Sequence, residues 1–142
     1  MNKRELFVQA VRGHIGRPYL WGGQTNRGYD CSGLVVACLQ TAGEAITDTT
    51  AQGLFNRYKS STELQISQTG QLVFYGSSPA SVTHVMVVLD VWKKGKGVLA
   101  GARGGKASTK TIDDAWLQSA FVDVVLSNYW DSNRVAIVDP WK

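Results

Sequence analysis

Cys31 and His84 are the residues whose types and settings could do chemistry together. Cys31 lies in Asp30-Cys31-Ser32-Gly33, directly before the apolar run from Leu34 to Leu39, so it falls where a helix begins. First-turn amides and the helix macrodipole favour negative charge there, which predicts a thiolate forming below the free-thiol pKa of about 8.5. A nucleophile also needs a general base within hydrogen-bond reach. Of the two histidines, His84 opens a β-like run, Val85 to Val91, and is expected to face the helix that carries Cys31. A cysteine on a helix start and a histidine on a strand can carry acyl transfer through a thioester.

The elements that must position this pair follow from periodicity. Residues 5–15 read as a first amphipathic helix and 16–29 as a loop with four glycines, Pro18 and two aromatics before its last residue. A second helix, from about Cys31 to Ala42, is apolar all round in its first half and ends at Gly43. A third covers Thr50 to Tyr58. The pattern then turns to β at Gln71–Tyr75, His84–Val91, Val98–Ala102, Phe121–Leu126 and Val135–Val138, with a helical turn or two in Asp113–Ser119. Helices first and strands later predict one α+β domain over residues 1–142, its N-terminal helices packed on a mainly antiparallel sheet.

Composition bounds the class. The chain has 142 residues, is 44% hydrophobic and 18% charged, and carries a net charge of +4, which admits an anionic partner without naming one. Its lysines and arginines are scattered singly, so no nucleic-acid partner is expected. The basic start, Met1-Asn2-Lys3-Arg4, leads into no secretory apolar core, and no segment approaches membrane-spanning length. The expectation is synthesis and folding in a reducing cytosol, without membrane insertion. Two cysteines seven apart on one helix would stand roughly 10 Å apart, too far for a disulfide. Neither the cysteines nor the histidines have a zinc spacing, so no metal or cofactor is expected.

Four blocks together resemble the NlpC/P60 cysteine peptidases: Gly16-Arg17-Pro18-Tyr19-Leu20-Trp21-Gly22-Gly23, Asp30-Cys31-Ser32-Gly33-Leu34-Val35, Gly70-Gln71-Leu72-Val73-Phe74-Tyr75 and Thr83-His84-Val85. They keep the family's motif order across roughly residues 5–102. The resemblance implies a papain-like fold that hydrolyses amide bonds of peptidoglycan stem peptides, commonly between γ-D-glutamate and a diamino acid. It makes Cys31 the nucleophile, His84 the general base and Tyr19 a hydroxyl near the oxyanion. Asp30 and Ser32 would hold the free amino end of the stem peptide. The chain departs from the family in three places, one of them the connection Val91-Trp92-Lys93-Lys94-Gly95-Lys96-Gly97, longer and more basic than the usual turn. The strand after the histidine, residues 97–102, lacks the polar residue that usually orients the imidazole, and Gln71 replaces the usual aspartate, which reads as a local turn change.

The short, single-domain form resembles phage-encoded members, which implies phage tail or delivery proteins as partners. A smaller resemblance is to amidase effectors of bacterial secretion systems. Two other readings stay open: a tail or baseplate component that keeps the fold for assembly or wall binding, and acyl transfer to an amine. Among the remaining residues, Cys38 reads as core and His14 as surface or helix-end. Gly101–Ala107 fails as a phosphate loop because Ala107 stands where Ser or Thr must bind magnesium. It reads as a groove rim from which Arg103 could meet a substrate carboxylate. Trp21 and Trp92 are expected to line the groove.

Overall fold

A computed structural model describes residues 1–25 and 28–142; residues 26 and 27 of the predicted loop lie outside them. Helix α1 runs from Lys3 to Arg12, earlier than expected, because the Asn2 side chain accepts the Glu5 N–H at 2.8 Å. It stops early because the His14 and Ile15 N–H groups tighten onto the carbonyls of Val11 and Arg12 and Gly16 N–H bonds instead to Val122 O at 2.7 Å. The loop that follows contains a two-stranded ribbon, β1 (Gln24–Thr25) with β2 (Gly28–Tyr29).

Helix α2 spans Cys31–Thr41, and eight of its residues are buried, among them Leu34, Val35 and Leu39. Burying each large apolar side chain stabilises the fold by roughly 1.5–3 kcal/mol, which makes α2 the central helix rather than a surface one. It ends at Gly43, whose φ of 96° only glycine adopts without strain. Helix α3, Ala51–Tyr58, is capped by Thr50, whose hydroxyl accepts the Gly53 N–H. Helix α4, Ile112–Leu117, is set by a capping box between Thr111 and Asp114.

The remaining strands are β3 (Thr62–Glu63), β4 (Leu72–Ser78), β5 (Ser81–Lys93), β6 (Lys96–Arg103), β7 (Phe121–Leu126) and β8 (Arg134–Val138). They form one antiparallel sheet in the order β3-β8-β4-β5-β6-β7, as the strand-rich second half predicts. Period-two alternation sorts its side chains. Leu72, Phe74, Val85, Val87, Leu89 and Ala100 pack against Phe7, Leu34, Leu39 and Leu54 of the helices. Val73, Tyr75, Met86, Val88 and Leu99 form a second cluster on the opposite face, with Ile66 and, partly buried, Tyr129.

Two expectations about β5 are corrected here. The strand begins at Ser81, so His84 lies inside it rather than at its start. His84 is paired with Tyr75 and shares its parity with Met86 and Val88, so it lies on the face opposite the helices rather than turned toward α2. Gln71 does act as a turn device. Its buried amide accepts from the Ser67 and Gln68 N–H groups at 2.8 and 3.1 Å and so ties down the turn before β4.

Candidate active site

Cys31 is the first residue of α2, and its neighbours explain why the helix starts there. Asp30 is extended, and its Oδ1 accepts the Gly33 N–H at 2.6 Å. Gly33 is glycine because a side-chain carbon there would fall 1.9 Å from the Gly23 carbonyl oxygen. That close approach, with the Asp30 N–H donating to Gly23 O at 3.0 Å, clamps the glycine-aromatic loop to the helix start. The Cys31 thiol lies 4.0 Å from Thr83 O, and a backbone bond from Val85 also reaches it. Thus the sulfur meets β5 on both sides of His84, arriving from the end of the helix.

A cleft of about 410 Å³ opens at this point. Of the residues singled out in the sequence, Cys31, His84, Tyr19, Trp21 and Arg103 all line it. Asp30 and Ser32 do not: Asp30 is spent as the helix cap, and the buried Ser32 hydroxyl donates to its Oδ1 at 3.4 Å. Trp92 is 56% exposed but lies outside the cleft, which corrects that expectation; Trp130 lines it instead. Residues 104–107 form part of the rim, as expected. Arg103 is engaged by the protein itself. Its Nε donates to Asp123 at 2.9 Å, and its guanidinium lies 5.6 Å from the centre of the Tyr129 ring.

The electrostatics overturn one expectation. The Cys31 thiol is pushed up to about 11, chiefly by burial, with the Asp30 carboxylate adding to the rise. Backbone N–H groups of Val85, Ser32 and Cys31 itself pull the other way without prevailing. A helix terminus is commonly worth 0.3–1 kcal/mol, less than one pKa unit, whereas full burial moves a pKa by several units. Burial likewise lowers His84 to about 4, helped by the positive charge of Arg103. At neutral pH the resting pair is therefore a thiol and a neutral imidazole. Burial and the nearby Cys31 and Asp30 raise the Tyr19 phenol, which keeps it a hydrogen-bond donor. Burial raises the Asp30 carboxyl against the opposing bond from Gly33.

Tyr129 and Trp130 are the site residues that sequence reasoning missed. Tyr129 Oη lies 3.4 Å from His84 Nε2. The Trp130 ring stacks on Tyr75 at 5.7 Å, and Tyr75 packs 5.6 Å from His84. Two aromatics within a polar turn, Ser127-Asn128-Tyr129-Trp130-Asp131, were the available signal. Among the described residues no group of three or more His, Cys, Asp or Glu could hold a metal ion, and no helix is long and apolar enough to cross a membrane.

Comparisons with known proteins bear on this geometry. The sequence profile of the NlpC/P60 family matches residues 16–135. Protein P54 of Enterococcus faecium is 35% identical over 92 residues, covering 63% of this chain and 17% of that protein. The bifunctional muramidase/DL-endopeptidase CwlT of Bacillus subtilis is 38% identical over 88 residues, covering 60% and 26%. The chain spans less than a third of the length of the curated relatives it matches. Among solved structures, the peptidoglycan hydrolase RipB of Mycobacterium tuberculosis superposes with a TM-score of 0.68 at 20% identity, covering 99% of this chain and 65% of that one. The NlpC/p60 domain of the peptidoglycan hydrolase SagA gives 0.65 at 24% identity, covering 96% and 97%. Both likenesses are of fold.

Proposed function

The chain belongs to the NlpC/P60 family, and we propose that it is a cysteine-dependent hydrolase of amide bonds in peptidoglycan stem peptides. The observation that carries the reading is that Cys31, at the first turn of α2, opens onto the same cleft as His84 and Tyr19. The bond we assign is the one between γ-D-glutamate and the following diamino acid. In support, a relative matching 60% of the chain bears the name DL-endopeptidase.

The chemistry starts from the neutral pair. As Cys31 Sγ forms a bond to the scissile carbonyl carbon, its proton passes to His84, so no free thiolate has to persist in a buried site. The Cys31 N–H and the Tyr19 hydroxyl are the donors we assign to the oxyanion; one such donor is commonly worth about 10²–10³ in kcat. The imidazolium then protonates the leaving amine as the C–N bond breaks, leaving a thioester on Cys31. Water attacks that thioester while giving a proton to His84, and the departing sulfur takes the proton back. Trp21 offers an exposed apolar wall to the stem peptide.

Mass spectrometry of muropeptides released from purified sacculi tests the reading. New fragments from the wild type and none from Cys31→Ala are expected, with masses that place the cut after γ-D-glutamate. No fragments from the wild type across several wall types would overturn it.

A further inference from the structure

His84 lies inside β5 with its imidazole on the face away from the helices, so something on that face must fix the ring. The neighbouring strand cannot do so. Gly101 occupies that face of β6, and a side-chain carbon there would fall 2.5 Å from Met86 Sδ, so the thioether already fills the place. Tyr75 packs on the imidazole only through its ring, and its buried hydroxyl has no hydrogen-bond partner. Among the described residues, the polar side chain that reaches His84 is Tyr129, with Oη 3.4 Å from Nε2.

The turn that delivers Tyr129 is built at a cost. Trp130, the next residue, has a left-handed backbone (φ 46°, ψ 37°), uncommon for a bulky side chain. Such a conformation persists where the surroundings hold it, and here the Trp130 ring stacks on Tyr75 with the planes 19° apart. Tyr129 is held from its other side, because the Arg103 guanidinium lies over its ring while bonded to Asp123. The chain Asp123–Arg103–Tyr129–His84 thus runs from β7 through the end of β6 to the imidazole.

We propose that Tyr129 is the positioning residue for His84: its phenolic oxygen accepts the Nε2 proton and so leaves Nδ1 unprotonated to receive the Cys31 proton. This rests on the hydrolase reading above only in its last clause. When Nδ1 takes that proton, Nε2 keeps its own, so the same bond holds the imidazole and the imidazolium through both halves of the reaction. The contact is long in the free protein, as such bonds often are before substrate arrives.

Tyr129→Phe tests the proposal, since it keeps the ring beneath Arg103 and removes only the hydroxyl. Proton NMR of the free protein is expected to show a downfield, slowly exchanging His84 Nε2–H signal in the wild type that is lost in Tyr129→Phe. With muropeptide substrate, kcat should fall about 100-fold with KM within about twofold, the size expected of a misaimed catalytic group. Persistence of the Nε2–H signal in Tyr129→Phe, or an unchanged kcat, would overturn the proposal. The NMR comparison needs no substrate. A wild type that cleaves nothing would sink the hydrolase reading alone, while the signal still decides whether Tyr129 holds the ring.

Discussion

The fold gathers its two cysteines and two histidines into two sets, and only one of them opens onto the cleft. Cys38 Sγ lies 3.9 Å from His14 Nδ1, yet the imidazole is already engaged. Its Nδ1 lies 2.7 Å from Ala10 O and its Nε2 3.0 Å from the Tyr29 hydroxyl, so His14 closes the end of α1. Cys38 is wholly buried, and burial pushes its thiol up to about 12. Cys31 is also buried and also raised, but it lines a cleft with His84, whose Nε2 meets the Tyr129 hydroxyl. Proximity of sulfur and imidazole is therefore not what distinguishes the two sets. The opening of Cys31 and His84 onto one cleft sets that pair apart.

Substitutions at the two sets should part most widely in activity. Cys31→Ala is expected to lower muropeptide hydrolysis by at least about 10⁴-fold, because it removes the nucleophile itself. Cys38→Ala should leave kcat within a factor of about two and cost stability, about 1 kcal/mol in urea unfolding. Equal losses of activity would erase the distinction. Next in size, Tyr19→Phe should lower kcat by about 10²- to 10³-fold with little change in KM, the effect of one lost oxyanion donor. A pure KM effect would recast Tyr19 as a packing residue.

The buried His84 predicts a pH signature in stability. Its folded value of about 4 lies below the ordinary 6.5, so the unfolded chain binds a proton first as pH falls. The stabilisation is whole above about pH 6.5 and is lost as pH falls through about 4, amounting to roughly 3 kcal/mol. Urea unfolding across this window should show that loss in the wild type and not in His84→Gln. Parallel curves would mean that the imidazole is solvated. Smallest of all, Asp30→Ala should cost about 1 kcal/mol through the lost cap, with its effect on KM showing whether the carboxylate also meets substrate.

What could be read in the chain was what local chemistry enforces. The Asp30 cap, the apolar helix behind it and the period-two strands announce themselves because each answers to its own neighbours in sequence. Ser81-Val82-Thr83 concealed the true start of β5, since polar residues on one face of a strand look like a turn. The thiol's rise was hidden because burial depends on what β5 brings against α2, whereas the dipole depends on the helix alone. Tyr129 was hidden for the same kind of reason. It stands 45 residues from His84, in a turn without periodicity between β7 at one edge of the sheet and β8 beside β4.

The most direct measurement is acid quenching during turnover on a muropeptide, followed by peptide mass mapping of both cysteines. Nucleophilic catalysis by Cys31 predicts a transient acyl adduct on the peptide containing Cys31 and none on Cys38. Product formation with no adduct on Cys31, and undiminished in Cys31→Ala, would contradict it.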